Sequence, residues 1–419
     1  MPFPTRPRRL LAAALPALIA VALAACSSEQ YPNSVFTRTT ENNRDVGYLF
    51  EVLFWLGGAV FVFVEGILIY TIVRYRRRSE NDRPEHVHGN TTLEILWTAI
   101  PALILAFIAV PTVHTIFKSQ ATASADALRV EVIGHQWWWE FRYPEYKITT
   151  ANELYLPVGR KVSFTLTSVD VIHSFSIPHL AGKRDLMANR TNYLWFTPDS
   201  IGESAMNGFC AEYCGSSHAN MHFKVFTVSK DNFEQWAKHQ ASPAAFGAVA
   251  PPAAAAPAPV GAAAAPAAPP AAAPVQLAGF TFPHDKIPNH VMPQTPLPEG
   301  LDFDDNLKGD AQRGLEFVSK MGGGCAGCHT ISGNPVMMAT MGPNLTHIGS
   351  RSTIAGGIYP NDTKHLSRWI KNARHMKPGV NMITLGAGQY DPITKQNIPK
   401  TGLNDQQIAD IVAYLQALK

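Results

Sequence analysis

Two stretches of this chain, Tyr48 to Val73 and Leu93 to Val113, are almost wholly apolar, and each is close to the ~20 residues needed to cross a bilayer. Between them lies RYRRRSENDRPEHVHGN, and such short arginine-rich loops stay on the cytoplasmic side. The two runs therefore predict a membrane hairpin that leaves the mature N-terminus and everything after Val113 outside. Glu65, in mid-span, must face protein or water rather than lipid.

At 419 residues the chain is too long for one ordinary domain. It is 46% hydrophobic and 16% charged, with the apolar residues unevenly spread, which is the membrane signature. A net charge of +3 gives no argument for nucleic acid, and the basic residues are local, notably Arg74, Arg76, Arg77 and Arg78. The start, MPFPTRPRRLLAAALPALIAVALAACSS, has a basic region, a short apolar run and then small residues, which is a secretory signal. Its end, Leu23-Ala24-Ala25-Cys26, resembles a bacterial lipoprotein signal, cut after residue 25 and acylated on Cys26; an ordinary signal peptide with an incidental Cys26 is the alternative.

Residues 26–120 then form an N-terminal segment and the hairpin. Over 125–240 the pattern turns to short alternating runs (RVEVIG, WWWEFRY, KVSFTLTSV, NYLWFTP, FKVFTV), which predict a β-sandwich or barrel. Residues 241–300 hold an Ala/Pro linker, semi-rigid and unable to form a core. From 301 to 419 the chain reads as helices, ending in LNDQQIADIVAYLQALK with apolar residues at helical spacing.

Five cysteines can each be assigned without a structural disulfide: Cys26 alone, Cys210 with Cys214, and Cys325 with Cys328. The loop CAEYCGSSHANM, Cys210 to Met221, packs two thiols, an imidazole, a carboxylate and a thioether together. Zinc would accept the thiols and His218, but has little use for a thioether, whereas Met and Cys suit copper. A blue-copper site needs one Cys, two His and a weak Met, which Cys214, His218, Met221 and His173 supply, and Cys210 is then surplus. Two coppers bridged by both thiolates, with one imidazole each, use every ligand.

With GHQWWWEF upstream and DVIHSFSIPHL between, the loop resembles the dinuclear CuA domain of subunit II of the haem-copper cytochrome c oxidases, over roughly residues 48–228. The resemblance implies a cupredoxin-like β-sandwich with Cys210 and Cys214 as bridging thiolates, His173 and His218 as terminal imidazoles and Met221 as a weak axial ligand. It implies that Glu212 gives its carbonyl to copper and its carboxylate to a magnesium ion bordering subunit I, a hard ligand for a hard cation. Trp137 takes the position of the family's electron-accepting tryptophan, and Asp170 that of an acidic docking residue. His222 and His179 read as ordinary sandwich residues. Glu94 has two readings: a capping box with Thr91, or, by the resemblance, the mouth of a proton pathway into subunit I.

GGGCAGCHT carries the C-x-x-C-H pattern of covalent haem c attachment, Cys325 and Cys328 forming thioethers and His329 binding iron. A sixth ligand of Met type raises the potential into a range useful for oxidase input. Met376 and Met382 compete; KPGVNM resembles the loop that presents the axial methionine in class I cytochromes c, so Met382 is preferred, although Ile383 stands where proline is usual. In MGPNLTHIGSR, the Pro343 carbonyl resembles the group that fixes the proximal imidazole.

The whole chain thus resembles a caa-type subunit II: two transmembrane α-helices, a CuA sandwich and an all-α class I cytochrome c domain in a bacterial inner membrane, metal domains on the periplasmic face. The resemblance implies an electron-input subunit of a proton-pumping oxidase, partnered by subunit I, where dioxygen is reduced, by subunit III, and by cytochrome c or another reduced donor. A nitrogen-oxide reductase component and a copper-binding module are the alternatives. The linker reads as a tether, giving an effective concentration around mM, so that cutting it is expected to make haem-to-copper transfer depend on dilution.

Overall fold

The computed structural model describes residues 33–79, 88–120, 123–200, 206–244, 292–320 and 324–419. The signal segment with Cys26 and most of the Ala/Pro linker lie outside the described residues.

Helices α1 (Glu41–Arg74) and α2 (Thr91–Gln120) follow from the two apolar runs and extend past both ends of each. At ~1.5 Å per residue both exceed a ~30 Å hydrocarbon layer. Both are long and apolar enough to cross a membrane. Thr40 caps α1 by accepting from the Asn43 N–H. The expected Thr91–Glu94 capping box does not form. Asn90 is the cap, its Oδ1 accepting from the N–H groups of Thr92 and Leu93 at 3.1 and 3.2 Å, and Thr91 is already the first helical residue. Asparagine ranks above threonine as a cap. Glu94 stands one position beyond the capping-box site, exposed.

Residues 128–228 form two five-stranded sheets. The first has the order β3 (Ile148–Ala151), β2 (Trp138–Tyr143), β1 (Leu128–His135), β5 (Val162–Ser168), β8 (Asn192–Phe196). The second has β4 (Glu153–Pro157), β10 (His222–Val228), β9 (Met206–Cys210), β6 (His173–Ile177), β7 (Ala181–Leu186). Alternation is clean in β5, buried at every second residue. Aromatic rings fill the space between the sheets: Phe175 and Phe223 stack at 5.1 Å, with Trp139 edge-on to both. Helix α3 (Lys230–Ala241) closes one end through Phe233 and Trp236. The start of α1 is pinned to the sandwich, Thr40 Oγ1 donating to the Leu180 carbonyl and Asn43 Nδ2 to the Pro178 carbonyl.

Beyond the linker, α4 (Ala311–Lys320), α5 (Thr363–Met376) and α6 (Asp405–Ala417) enclose a second core built on Leu315, Leu366, Ile370, Ile408 and Tyr414. Asn404 and Gln407 form a reciprocal capping box at α6. This helical domain is docked on the sandwich. Ser352 donates from N and Oγ to the buried Glu153 carboxylate at 2.6 and 2.5 Å. The His222 N–H donates to the Gly356 carbonyl at 2.8 Å, and Ser217 Oγ to the Pro378 carbonyl at 2.5 Å. A loose tether is therefore replaced by a seated contact: buried polar groups of each domain find their partners on the other.

Candidate metal centres

Three neighbouring strands assemble the first centre. His173 opens β6, Cys210 ends β9, and β10 begins just after Met221. The loop is stapled at its base by Cys210 N–H to the Met221 carbonyl and Ala211 N–H to the Ser174 carbonyl, at 3.0 and 2.9 Å. The sulfurs of Cys210 and Cys214 lie 3.7 Å apart. His173 Nδ1 is 3.8 Å from the first sulfur, His218 Nδ1 3.6 Å from the second, and Met221 Sδ 3.8 Å from Cys214 Sγ. The Glu212 carbonyl lies 3.1 Å from Cys210 Sγ, while its carboxylate points away, 3.9 Å from Lys183 Nζ. His173, Cys210 and Cys214 are buried, and their ligand atoms fall within 4.8 Å of one another.

The electrostatics suit a soft cation. A hydrogen bond from Cys214 pulls the Cys210 thiol down to about 3, against burial, and the same closeness pushes Cys214 up: two sulfurs in one dry pocket share a single negative charge. Burial disfavours imidazolium at His173, but Asp170, 2.8 Å from Nε2, and the Cys210 sulfur outweigh it and raise its pKa. Asp170 thereby orients the ring with Nδ1 toward the sulfurs, the arrangement that fixes ligand imidazoles. It also accepts from the Gln136 N–H at 2.7 Å while staying partly exposed. Thiols, imidazoles, thioether and carbonyl are the donor set that a dinuclear copper centre uses.

The second centre is a cavity of 310 Å³ between the domains. Cys325, Cys328, His329, Pro343 and Met382 line it from the helical domain; Gln136, Trp137, Trp138 and Asn152 line it from the sandwich. His329 Nδ1 donates to the Pro343 carbonyl at 2.8 Å, leaving Nε2 for iron. Met382 is in the lining; Met376 is buried in the helical core, 4% exposed, and its carbonyl accepts from the Tyr359 hydroxyl. An apolar cavity with two thiols, an anchored imidazole and a thioether fits a covalently attached haem.

Trp137 joins the two. It is 8% exposed, lines the cavity, and its Nε1–H donates to the Cys214 carbonyl at 3.0 Å. Its ring is held between Gly215 and Gly379, both at positive φ, where a Cβ would come within 3.0 and 2.9 Å of the indole. Lys377, 1% exposed, donates from Nζ to the carbonyls of Trp137 and Ala355 at 2.7 and 2.8 Å. Sequence reasoning missed Lys377 and Glu153. A lysine beside the methionine loop and a glutamate opening a strand carry no signal until the domains are seen together. His222 lies at the same contact, its Nε2 bonding the Ala219 carbonyl at 2.7 Å.

Comparison with known proteins matches three family models: cytochrome c oxidase subunit II, transmembrane domain (37–115), cytochrome c oxidase subunit II, periplasmic domain (147–228), and cytochrome c (311–419). Cytochrome c oxidase subunit 2 of Bacillus sp. PS3 is 32% identical over 360 residues, 83% of this chain and 80% of that protein. The subunits 2 of Alkalihalophilus pseudofirmus and Bacillus subtilis are 29% and 30% identical over 86% and 84% of this chain, covering 83% and 82% of those proteins. Three consecutive family matches, in the order membrane hairpin, copper sandwich, cytochrome c, place the chain in the cytochrome c oxidase subunit II family, as a membrane-anchored oxidoreductase subunit carrying its own cytochrome c domain.

Proposed function

We propose that this chain is the electron-input arm of a proton-pumping oxidase, crossing the bacterial inner membrane through α1 and α2 with both metal centres on the periplasmic face. Cys210, Cys214, His173 and His218, with Met221 and the Glu212 carbonyl beside them, would hold a pair of copper ions. Cys325 and Cys328 would hold a porphyrin, and His329 and Met382 would ligate its iron. When bound, these groups supply reversible one-electron chemistry, receiving from cytochrome c or a similar donor and delivering toward the oxygen-reducing centre of subunit I.

The observation that carries this reading is Trp137, whose indole is at once a wall of the haem cavity and a hydrogen-bond donor to the Cys214 backbone. Asp170 holds the His173 ring, and the closed contact around Lys377 and Ser217 excludes water, so little around the copper donors has to rearrange when charge moves. The Glu212 carboxylate, 45% exposed and paired with Lys183 at 3.9 Å, would exchange that lysine for a magnesium ion at the border with subunit I. Glu94, without a capping task, is assigned to the mouth of a proton pathway there. Subunit III completes the assembly.

The test is Trp137→Leu in the intact complex. Flash reduction of the haem should be followed by copper reduction at least about tenfold slower, equivalent to ~1.4 kcal/mol of barrier, with haem absorbance and copper resonance unchanged. An unaltered rate with intact spectra rejects the role of Trp137.

A further inference from the structure

A second pair of imidazoles meets across the domain contact, away from both centres. His239 comes from the last turn of α3 and His347 from the turn preceding Ile348–Ser350. Their ring centres are 4.4 Å apart, the planes inclined by 46°, and the residues are 6% and 2% exposed. The Nε2–H of His347 donates to the Ser242 carbonyl at 3.0 Å. That bond places its proton on Nε2 and leaves a lone pair on Nδ1. Both Nδ1 atoms, of His239 and of His347, are buried and have no hydrogen-bond partner among the described residues. The Lys419 backbone carbonyl faces both rings.

Burial lowers the pKa of both, His347 to about 4 with the neighbouring His239 as the next cause. At neutral pH both rings are therefore uncharged, each keeps one nitrogen lone pair, and both face the Lys419 main-chain oxygen. Arg351, whose charge acts on His347, donates to the Asn344 carbonyl and faces Glu153. Two imidazoles bound to one ion at ~2.0–2.1 Å and a tetrahedral angle stand with ring centres about 5 Å apart, so the 4.4 Å pair opens slightly to admit the ion, and ligand histidines commonly anchor the other ring N–H on a carbonyl, as His347 does. A 640 Å³ cleft lined by Gln240, Ser242, Asn344 and His347 opens beside the pair and admits water as a further ligand.

We propose that His239 and His347, with the Lys419 carbonyl, form an interdomain site for a divalent transition ion of the zinc type, distinct from the copper and haem centres, which fastens the helical domain to α3.

The full chain, replete in copper and haem, is equilibrated with micromolar Zn²⁺, desalted and its metals counted. One zinc per chain above the copper and iron is expected, and His239→Gln and His347→Gln should each lower zinc affinity at least tenfold with copper resonance and haem absorbance unchanged. Equal zinc in all three proteins, or none in the parent, overturns the proposal. Should a variant misfold, anomalous scattering at the zinc edge from the unmodified protein decides: an ion between the two rings supports the site, and an ion elsewhere refutes it. Separation of the domains by acid alone, with zinc never retained, identifies a proton latch instead and equally refutes the metal site.

Discussion

The donors proposed for copper, other than His173, come from one loop, Cys210 to Met221, closed at its base by strand hydrogen bonds, whereas the walls of the cavity proposed for haem come from two domains far apart in sequence. A loop held by its own sheet can present its ligands before the helical domain arrives. The haem cavity, walled on one side by Trp137 and Trp138, is complete only when the domains are seated. Local chemistry therefore sets the first centre, and docking sets the second.

The largest consequence concerns the loop. Cys214→Ser removes one of the two sulfurs proposed to hold copper, and chelation by the remaining donors should fail as a unit, because a hydroxyl is a poor ligand for copper. Copper content should fall to near zero while haem absorbance and the thermal midpoint of the helical domain stay put. If the haem spectrum shifts as well, the two centres are not built independently and the contrast is wrong.

Next comes the contact itself. Proteolysis within the linker should leave the rate of copper reduction by haem independent of dilution, reversing the expectation for a loose tether. Glu153→Ala in the cut protein should restore dilution dependence. It strips the Ser352 N–H and hydroxyl of their acceptor and leaves Arg351 without its facing carboxylate, and breaking a buried charged contact costs roughly 3–5 kcal/mol, about 10² to 10⁴ in affinity. Dilution-dependent transfer in the unmutated cut protein would show that the seated form is a minor state.

Much of this was legible from sequence because ligand chemistry is local. Cys210, Cys214, His218 and Met221 sit at fixed offsets, and Cys325, Cys328 and His329 form a contiguous motif; the alternating runs of the sandwich and the periodic α6 likewise carry their period with them. What escaped depends on distant partners. Asp170 became an orienting group because His173 and Gln136 converge on it. The Thr91 box failed for a local reason instead: Asn90, one residue earlier, takes the Thr92 and Leu93 N–H groups. Glu153 and Lys377 acquire meaning only from residues about 200 positions away.

The smallest expected effect belongs to Lys377. Burial lowers its pKa from the ordinary 10.5 to about 7, against a raising influence from the Cys214 charge. Between those values the separated domains carry one more proton than the seated form. By linkage, docking strengthens as pH rises from about 7, by at most about tenfold per unit, and levels off above 10.5. The uncharged amine still has hydrogens for the Trp137 and Ala355 carbonyls, so the contact keeps its geometry as the proton leaves. Dissociation constants of the linker-cut protein at fixed ionic strength from pH 7 to 9 measure the slope. Lys377→Met should flatten it and weaken docking at every pH, because both carbonyls then lie buried without a donor. A slope that survives the substitution assigns the proton to another group and leaves Lys377 as a hydrogen-bond donor alone.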